Sequence, residues 1–445
     1  MEKNQLKPAR VFEQFAKINA IPRPSKHEEK MIEYLKEFGK SHGLETEVDE
    51  TGNVIIRKPA TKGKEGCPTL ILQSHMDMVC AVVPGSGFDP VADPVTILER
   101  NGCLCTDRRS SLGADNNLGN AAALWVVQQG TSHGPLRFLF TVGEELGLEG
   151  AKVVDPSWLA GAAWLLNTDG FHLGRAIVGS AGGRREHWTR RLETCPAPAG
   201  AAWRIALTGG SGGHSGDDIH LGRINPIQVL ADWLRDRPEL AVADFGGGMA
   251  FNAIPAAAEV LVVGKEPDLR ALSVALLPFR ATDTNLKLDL SPAPPQERVW
   301  TADFRRDVLG LLAALRHGVY AMDPQFPDVV GASANLGAAM EMGDLFAVNL
   351  FLRAARAEDE AAMAKENAAL GAAAGFTLSV TGYPGWPGDR SNPLAQALDR
   401  VYRAQRGWGL EISAVHVGLE PSVFRAKAPE LVMVSTGPDI LDAHS

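Results

Sequence analysis

Six side chains within 95 residues could together do metal chemistry: His75, Asp77, Asp115, Glu144, Glu145 and Asp169. They fall in four short motifs, His75-Met-Asp77, Gly113-Ala-Asp115, Gly143-Glu144-Glu145 and Asn167-Thr-Asp169. One imidazole among five carboxylates suits a divalent transition metal such as zinc, which accepts nitrogen and oxygen donors. Each residue alone has an ordinary explanation: Asp115 could cap a helix, Glu144-Glu145 could end a solvated loop, and Asp169 before Gly170 could make a turn. The combination is harder to explain away. Acids placed repeatedly at the ends of apolar runs repel one another unless a cation sits among them. A carboxylate two residues beyond His75 can accept its second ring N–H and so fix the tautomer that binds a metal. The adjacent Glu144 and Glu145 supply one metal ligand and one general base, which is the equipment of a metal-dependent hydrolase.

The elements that must hold these motifs alternate between strand and helix. Thr69–His75, Leu136–Val142 and Ala163–Asn167 are apolar runs that read as buried strands, and three of the four motifs stand at their ends. A helix is predicted from Asn120 to Gln129, just after Asp115, and another from Lys152 to Leu159. Upstream, Ser25-Lys-His-Glu28 has the capping-box pattern before an amphipathic helix carrying Met31, Ile32, Leu35 and Phe38. Glu45–Arg57 reads as a hairpin turned at Thr51-Gly52-Asn53. The order predicts an α/β fold with a mainly parallel sheet, whose carboxyl edge is where such folds place their chemistry. Near Ser180 the pattern changes. Strands at Trp203–Thr208, Ala256–Val263, Leu286–Leu290 and Phe376–Thr381, with helices at Ile224–Arg235, Phe304–Leu315 and Ala357–Ala373, predict a second, α+β domain. Tyr383–Gly388 reads as the linker back to the first domain, followed by a helix at Pro393–Tyr402 and a strand at Leu431–Ser435.

Composition narrows the function classes. A chain of 445 residues exceeds one compact core, so two domains are expected. Net charge is −9 with no basic run, which argues against a nucleic-acid surface. No stretch approaches the ~18 apolar residues of a membrane span, and the polar start lacks the apolar core of a secretory signal. Five cysteines form an odd, sparse set, and Cys103-Leu-Cys105 has no second pair at ligand spacing, so free thiols in a cytoplasmic protein are expected.

At the level of whole motifs the chain resembles the aminoacyl-histidine dipeptidases, also called cytosolic non-specific dipeptidases, a co-catalytic zinc metallopeptidase family. The resemblance is carried by Leu72-Gln-Ser-His75-Met-Asp77-Met-Val79, Leu112-Gly-Ala-Asp115-Asn-Asn-Leu-Gly119, Glu144-Glu145-Leu-Gly-Leu-Glu-Gly150 and Leu166-Asn-Thr-Asp169-Gly170. It continues through Gly212–Pro226, Asn252–Pro255, Ser333–Gly337, Tyr383–Trp386 and His416–Glu420, and so spans essentially the whole chain. It implies that His75 and Asp169 hold one zinc, Glu145 and His444 hold a second, and Asp115 bridges them, with Mn2+ or Co2+ as substitutes. Asp77 would orient His75, and Glu144 would be the general base. His214 would stabilise the oxyanion, from the second domain or across a dimer interface, while Asn252 and Arg353 would grip the substrate's carboxylate. The Asp115–Asn116 peptide would be cis. The catalytic domain would comprise residues 1–184 and 385–445, with an inserted α+β lid and dimerisation domain at 185–384.

The reaction so implied is hydrolysis of unblocked dipeptides, of Xaa-His type or broad specificity, by a water activated between two metals. The expected partners are a small peptide substrate and a second copy of the chain in a homodimer. An N-acyl amino-acid deacylase or a tripeptide aminopeptidase on the same scaffold is the alternative, and a catalytically silent metal-binding protein is the alternative from another class. The chain departs from the family where Ala443 replaces the usual Pro before the final His and Ser445 ends the sequence, which leaves two expectations: a clipped chain or a weakly held second metal. Glu420-Pro-Ser in place of Glu-Cys-Gly leaves substrate preference open.

Overall fold

The computed structural model describes residues 8–444, which divide into two compact units. The first contains the described residues up to Ser180, with Trp386–Ala414 and those from Leu419 onward; the second contains Ala181–Gly385 and Val415–Gly418.

In the first unit the described residues form an eight-stranded sheet in the order Glu45–Val48, Val54–Lys58, Leu136–Thr141, Thr69–His75, Ala162–Asn167, Val432–Ser435, Arg175–Ser180, Glu411–Val415. The Leu136–Thr141, Thr69–His75, Ala162–Asn167 and Val432–Ser435 strands run parallel, and antiparallel pairs flank them. The expected α/β fold with a mainly parallel sheet is what these residues build. Phe138, Phe140, Val54 and Ile56 on the sheet pack with Phe15 and Ile18 of the helix Pro8–Asn19, Met31 and Leu35 of the helix Glu29–Ser41, and Ala121 and Leu124 of the helix Ala114–Val127. Burial of each large side chain in such a cluster contributes about 1.5–3 kcal/mol.

Two local expectations fail for identifiable reasons. The capping box does not form: the helix starts at Glu29, Glu28 makes no side-chain cap, and the Ser25 hydroxyl donates instead to Asp77 Oδ2 at 2.7 Å. The helix expected over Lys152–Leu159 is two short helices, Glu149–Val153 and Pro156–Leu159, because Asp155 accepts from Ser157 N–H and starts a new turn with Pro156 in its first position.

The second unit is an antiparallel sheet of nine strands among the described residues, ordered Lys287–Ala293, Ala201–Thr208, Ala258–Gly264, Ala241–Gly248, Val330–Met342, Leu345–Ala354, Gly182–Arg191, Thr377–Tyr383, with Gly318–Met322 added alongside Val330–Met342. Its helices Pro226–Arg235, Ala302–Ala314 and Ala357–Ala373 pack on the sheet, and Trp300 meets Phe304 and Phe346 edge-on in the core, at 5.2 and 5.3 Å between ring centres. The long hairpin Val330–Ala354 at the middle of this sheet was not expected. The segment Val415–Gly418 joins this unit through main-chain bonds from Ala181 N–H to the carbonyls of Val415 and Val417 and through His416, whose Nε2 lies 2.7 Å from Ser333 Oγ.

Gly170 directly follows Asp169 and runs against the chain at Thr436-Gly437; a Cβ there would come 2.7 Å from the Thr436 carbonyl carbon. Backbone cannot yield as a side-chain tip can, so Gly170→Ala is expected to destabilise by about 1–3 kcal/mol in denaturant unfolding; an unchanged midpoint would contradict this packing. A second expectation concerns acid. Burial, with Arg353 nearby, pushes His416 down to about 3 from its ordinary value of 6.5. The unfolded chain therefore takes up a proton below about pH 6.5 that the folded chain refuses until about pH 3, and stability is lost as pH falls through that window. His416→Gln, which can still reach Ser333, should make the unfolding midpoint less sensitive to acid between pH 6.5 and 4.5 than in the parent, and equal slopes would refute the assignment.

Candidate metal centre

Three neighbouring parallel strands deliver three of the acidic motifs to one sheet edge. His75 is the last residue of its strand, Glu144 and Glu145 occupy the single helical turn after Leu136–Thr141, and Asp169 lies two residues past Asn167. Asp115 arrives differently, at the start of the Ala-rich helix Ala114–Val127, where the chain is non-helical at Asp115 and Asn116 and the peptide between them is cis. That helix is fixed to the strand by Asn120, which accepts from Ser74 Oγ at 2.7 Å and donates to the His75 carbonyl at 2.8 Å.

The side chains converge closely. His75 is fully buried, its Nε2 2.9 Å from Asp115 Oδ1 and 3.5 Å from Asp169 Oδ1, and its Nδ1 3.3 Å from Asp77 Oδ1. Asp77 is itself held by the main-chain N–H groups of Glu144 at 3.0 Å and Glu145 at 3.3 Å and by Ser25 at 2.7 Å. The other oxygen of Asp115, Oδ2, lies 3.4 Å from His444 Nε2, which also lies 3.3 Å from Glu145 Oε2. Donor atoms therefore cluster in two triads, His75–Asp115–Asp169 and Asp115–Glu145–His444, which share Asp115 and use its two oxygens separately. A third grouping, His75–Glu144–Glu145, overlaps them. His444 is the exposed member, with 55% of its side chain accessible.

The electrostatics follow from crowding anions away from water. Burial, with His75 opposing and Asp169, Glu145 and Glu420 adding, raises Glu144 well above the carboxylate range; burial and the Asp115 charge do the same to Asp169. Burial pulls His75 down, but Asp169, Asp115 and Asp77 outweigh it and raise the ring well above its ordinary value. Hydrogen bonds to Asp115 and Glu145 push His444 up to about 10. Asp77 is the exception: burial pushes it up, yet His75, Ser25 and the Glu144 N–H hold it below the usual carboxylate range. Glu145 Oε1 and Asp169 Oδ1 are buried with no hydrogen-bond partner. Orphaned anionic acceptors around a shared carboxylate, with two imidazoles, are a donor set that fits divalent cations.

In the second unit the sequence pointed to His214, Asn252 and Arg353. Arg353 is buried, 4% exposed. Its Nη2 lies 3.2 Å from His214 Nε2 and its Nε donates to Ser215 Oγ at 3.2 Å, while His214 Nδ1 lies 3.1 Å from Asp217 Oδ2. The Asp217 main-chain N–H also faces His214 Nδ1, at 3.3 Å, so both ring nitrogens are engaged within this cluster. Asn252 is exposed and enters this cluster through its carbonyl, which accepts from Ser215 N–H at 2.9 Å. Sequence reasoning assigned no role to His416 and Asn335, although both sit in quoted motifs; Asn335 Oδ1 is buried without a partner. It also missed Glu420, fully buried against Gln73 and pushed up to about 7 by burial, and Arg23, for which the sequence carries no signal.

No family model matches the chain. The cytosol non-specific dipeptidase of Escherichia coli (strain K12) is 33% identical, the alignment covering 100% of this chain and 94% of the relative. The uncharacterized protein YqjE of Bacillus subtilis (strain 168) is 34% identical over 38% of this chain and 45% of its own length. Among solved structures, aminoacylhistidine dipeptidase from Vibrio alginolyticus superposes with a TM-score of 0.87 at 30% identity, covering 100% of this chain and 93% of that one. Aminopeptidase PepT from Bacillus cereus shares the fold at a TM-score of 0.59 and 17% identity, over 97% of this chain and 90% of its own. The sequence, from end to end, thus belongs to the cytosol non-specific dipeptidase family.

Proposed function

We propose that this chain hydrolyses the peptide bond of unblocked dipeptides, of Xaa-His type or broad specificity, with Glu144 as general base. The observation that carries the reading is Asp115, whose two oxygens each face a different histidine-containing triad. His75, Asp115 and Asp169 would hold one cation and Asp115, Glu145 and His444 the other, and the nitrogen–oxygen donor set favours zinc, with Mn2+ or Co2+ as substitutes. Bound there, two cations lower the pKa of water and polarise the scissile carbonyl. The chain's own groups do the rest. Asp77 holds the His75 ring by its Nδ1, and by accepting the Glu144 and Glu145 N–H groups it fixes the turn that presents both glutamates. Glu144 takes the proton from the attacking water and delivers it to the departing amine. In the second unit His214 would stabilise the developing oxyanion and Arg353 and Asn252 would hold the substrate carboxylate; the buried guanidinium beside His214 supports this pairing.

The family relationship also supports a homodimer formed through the inserted lid unit and a cytosolic location; among the described residues no helix is long and apolar enough to cross a membrane. The test of the reaction is a side-by-side assay of a dipeptide, a tripeptide and an N-acetyl amino acid. Dipeptide turnover should dominate, and dominant deacylation or tripeptide cleavage would overturn the reading. Glu144→Gln should lower kcat by about 10²–10⁴ with the metal content of the purified protein unchanged. A variant that keeps its rate would remove Glu144 from the role.

A further inference from the structure

Arg23 heads the largest fully buried side chains, and no step above uses it. It lies in the loop between the helix Pro8–Asn19 and Ser25, and its Nη2 donates to the Gly113 carbonyl at 2.9 Å and to Asn19 Oδ1 at 3.1 Å. Asn19 in turn donates from Nδ2 to the Leu112 carbonyl at 3.0 Å and accepts at Oδ1 from Asn117 Nδ2. These bonds grip Leu112 and Gly113 on one side of Asp115 and Asn117 on the other. Gly113 has a left-handed φ of 65°, and a Cβ there would meet Met78 Sδ at 2.7 Å and Arg23 Nη2 at 2.9 Å, so the turn is seated directly against the guanidinium. The same loop reaches the other key acid: Ser25 Oγ donates to Asp77 Oδ2 at 2.7 Å and Ser25 N–H to the Met78 carbonyl at 3.3 Å.

Stability alone does not account for a guanidinium here. Its Nε and Nη1 are buried with no partner, and a buried charge with unfilled donors is a net cost that an apolar residue of similar size would avoid. What the guanidinium provides is a planar Nη2 amino group, fixed in direction, whose two hydrogens reach a side chain and a backbone carbonyl at once. We propose that Arg23 is a positioning residue: with Asn19 and Asn117 it clamps the turn that carries Asp115, so that the two carboxylate oxygens are aimed at their separate triads. Ser25 does the corresponding work for Asp77, and one seven-residue loop, Asn19 to Ser25, thereby sets both carboxylates. This inference rests on the metal reading of the centre.

The test uses two full-length variants that leave the local charge unchanged. Arg23→Lys keeps the cation but replaces the planar, directed Nη2 donor with a shorter, freely rotating ammonium, and Asn117→Ala opens the clamp from the far side. Metal-stripped proteins are titrated with zinc against a chelator of known affinity, and the melting of each metal-free protein is followed by circular dichroism. Zinc affinity should fall about tenfold in both variants, while metal-free melting shifts by no more than the few degrees that one lost hydrogen bond brings. Zinc affinities equal to the parent's would overturn the clamp while leaving the metal reading intact. Collapse of metal-free stability in both variants would also overturn it, because the network would then be a structural support. A parent protein that takes up no zinc would sink the metal reading, and this inference with it.

Discussion

Five carboxylates cannot share a poorly hydrated sheet edge without compensation, and the rest of this molecule is arranged around that fact. Each unpaired anion there costs several kcal/mol of lost hydration, so the site must supply cations, protons or N–H donors. It supplies all three. Main-chain N–H groups and a hydroxyl satisfy Asp77, two imidazoles face the shared Asp115, and burial with neighbouring negative charge raises the proton affinity of Glu144 and Asp169. What these leave over, the orphaned oxygens of Glu145 and Asp169, is what a divalent ion satisfies best. The folding cost of assembling the cluster and the affinity for metal are therefore two sides of one electrostatic strain.

The architecture holds that strain by importing rigidity from several directions. Parallel strands fix His75, the Glu144–Glu145 turn and Asp169 relative to each other at hydrogen-bond precision. Asp115 comes from outside the sheet and must be tied in separately, by Asn120 from the helix side and by the Asn19–Arg23 contacts from the loop side. Beneath the edge, Gln73 links Glu420 to Asn167, and Asn167 Oδ1 accepts the Asp169 N–H at 3.1 Å, so the strand ends are cross-braced by polar groups. Small residues make close passage possible where these braces crowd, as at Gly170 against Thr436.

The sequence was legible where chemistry and periodicity coincide. Acids at the ends of apolar strands stand out, and the parallel sheet could be read from the same runs. It was less legible where one side chain has two credible partners. Ser25 fits a capping box on paper, but the helix starts only at Glu29, and the Ser25 hydroxyl donates to the carboxylate of Asp77. The hairpin Val330–Ala354 escaped notice because Ala332, Ala334, Leu336, Ala338 and Ala339 are buried on a strand covered on both faces, where polar and apolar residues no longer alternate. Arg23 gave no sign at all: an arginine between two prolines reads as solvated loop, and only tertiary structure shows that it is buried. His214 could be named from its motif and Arg353 from a looser resemblance, but that they touch each other rests on tertiary structure joining residues far apart in sequence.

The interleaving of the two units has a consequence for biosynthesis. The strand Val432–Ser435 lies inside the first unit's sheet, between Ala162–Asn167 and Arg175–Ser180, and it is the last of that sheet's strands to leave the ribosome. Until it arrives, both of those strands lack the neighbour they share, while the whole second unit is translated after them. A nascent chain of this topology must wait, with an open sheet, for some 250 residues of intervening translation, roughly 12–50 seconds at 5–20 residues per second. It is during that interval, rather than in the finished enzyme, that edge-to-edge aggregation is most dangerous.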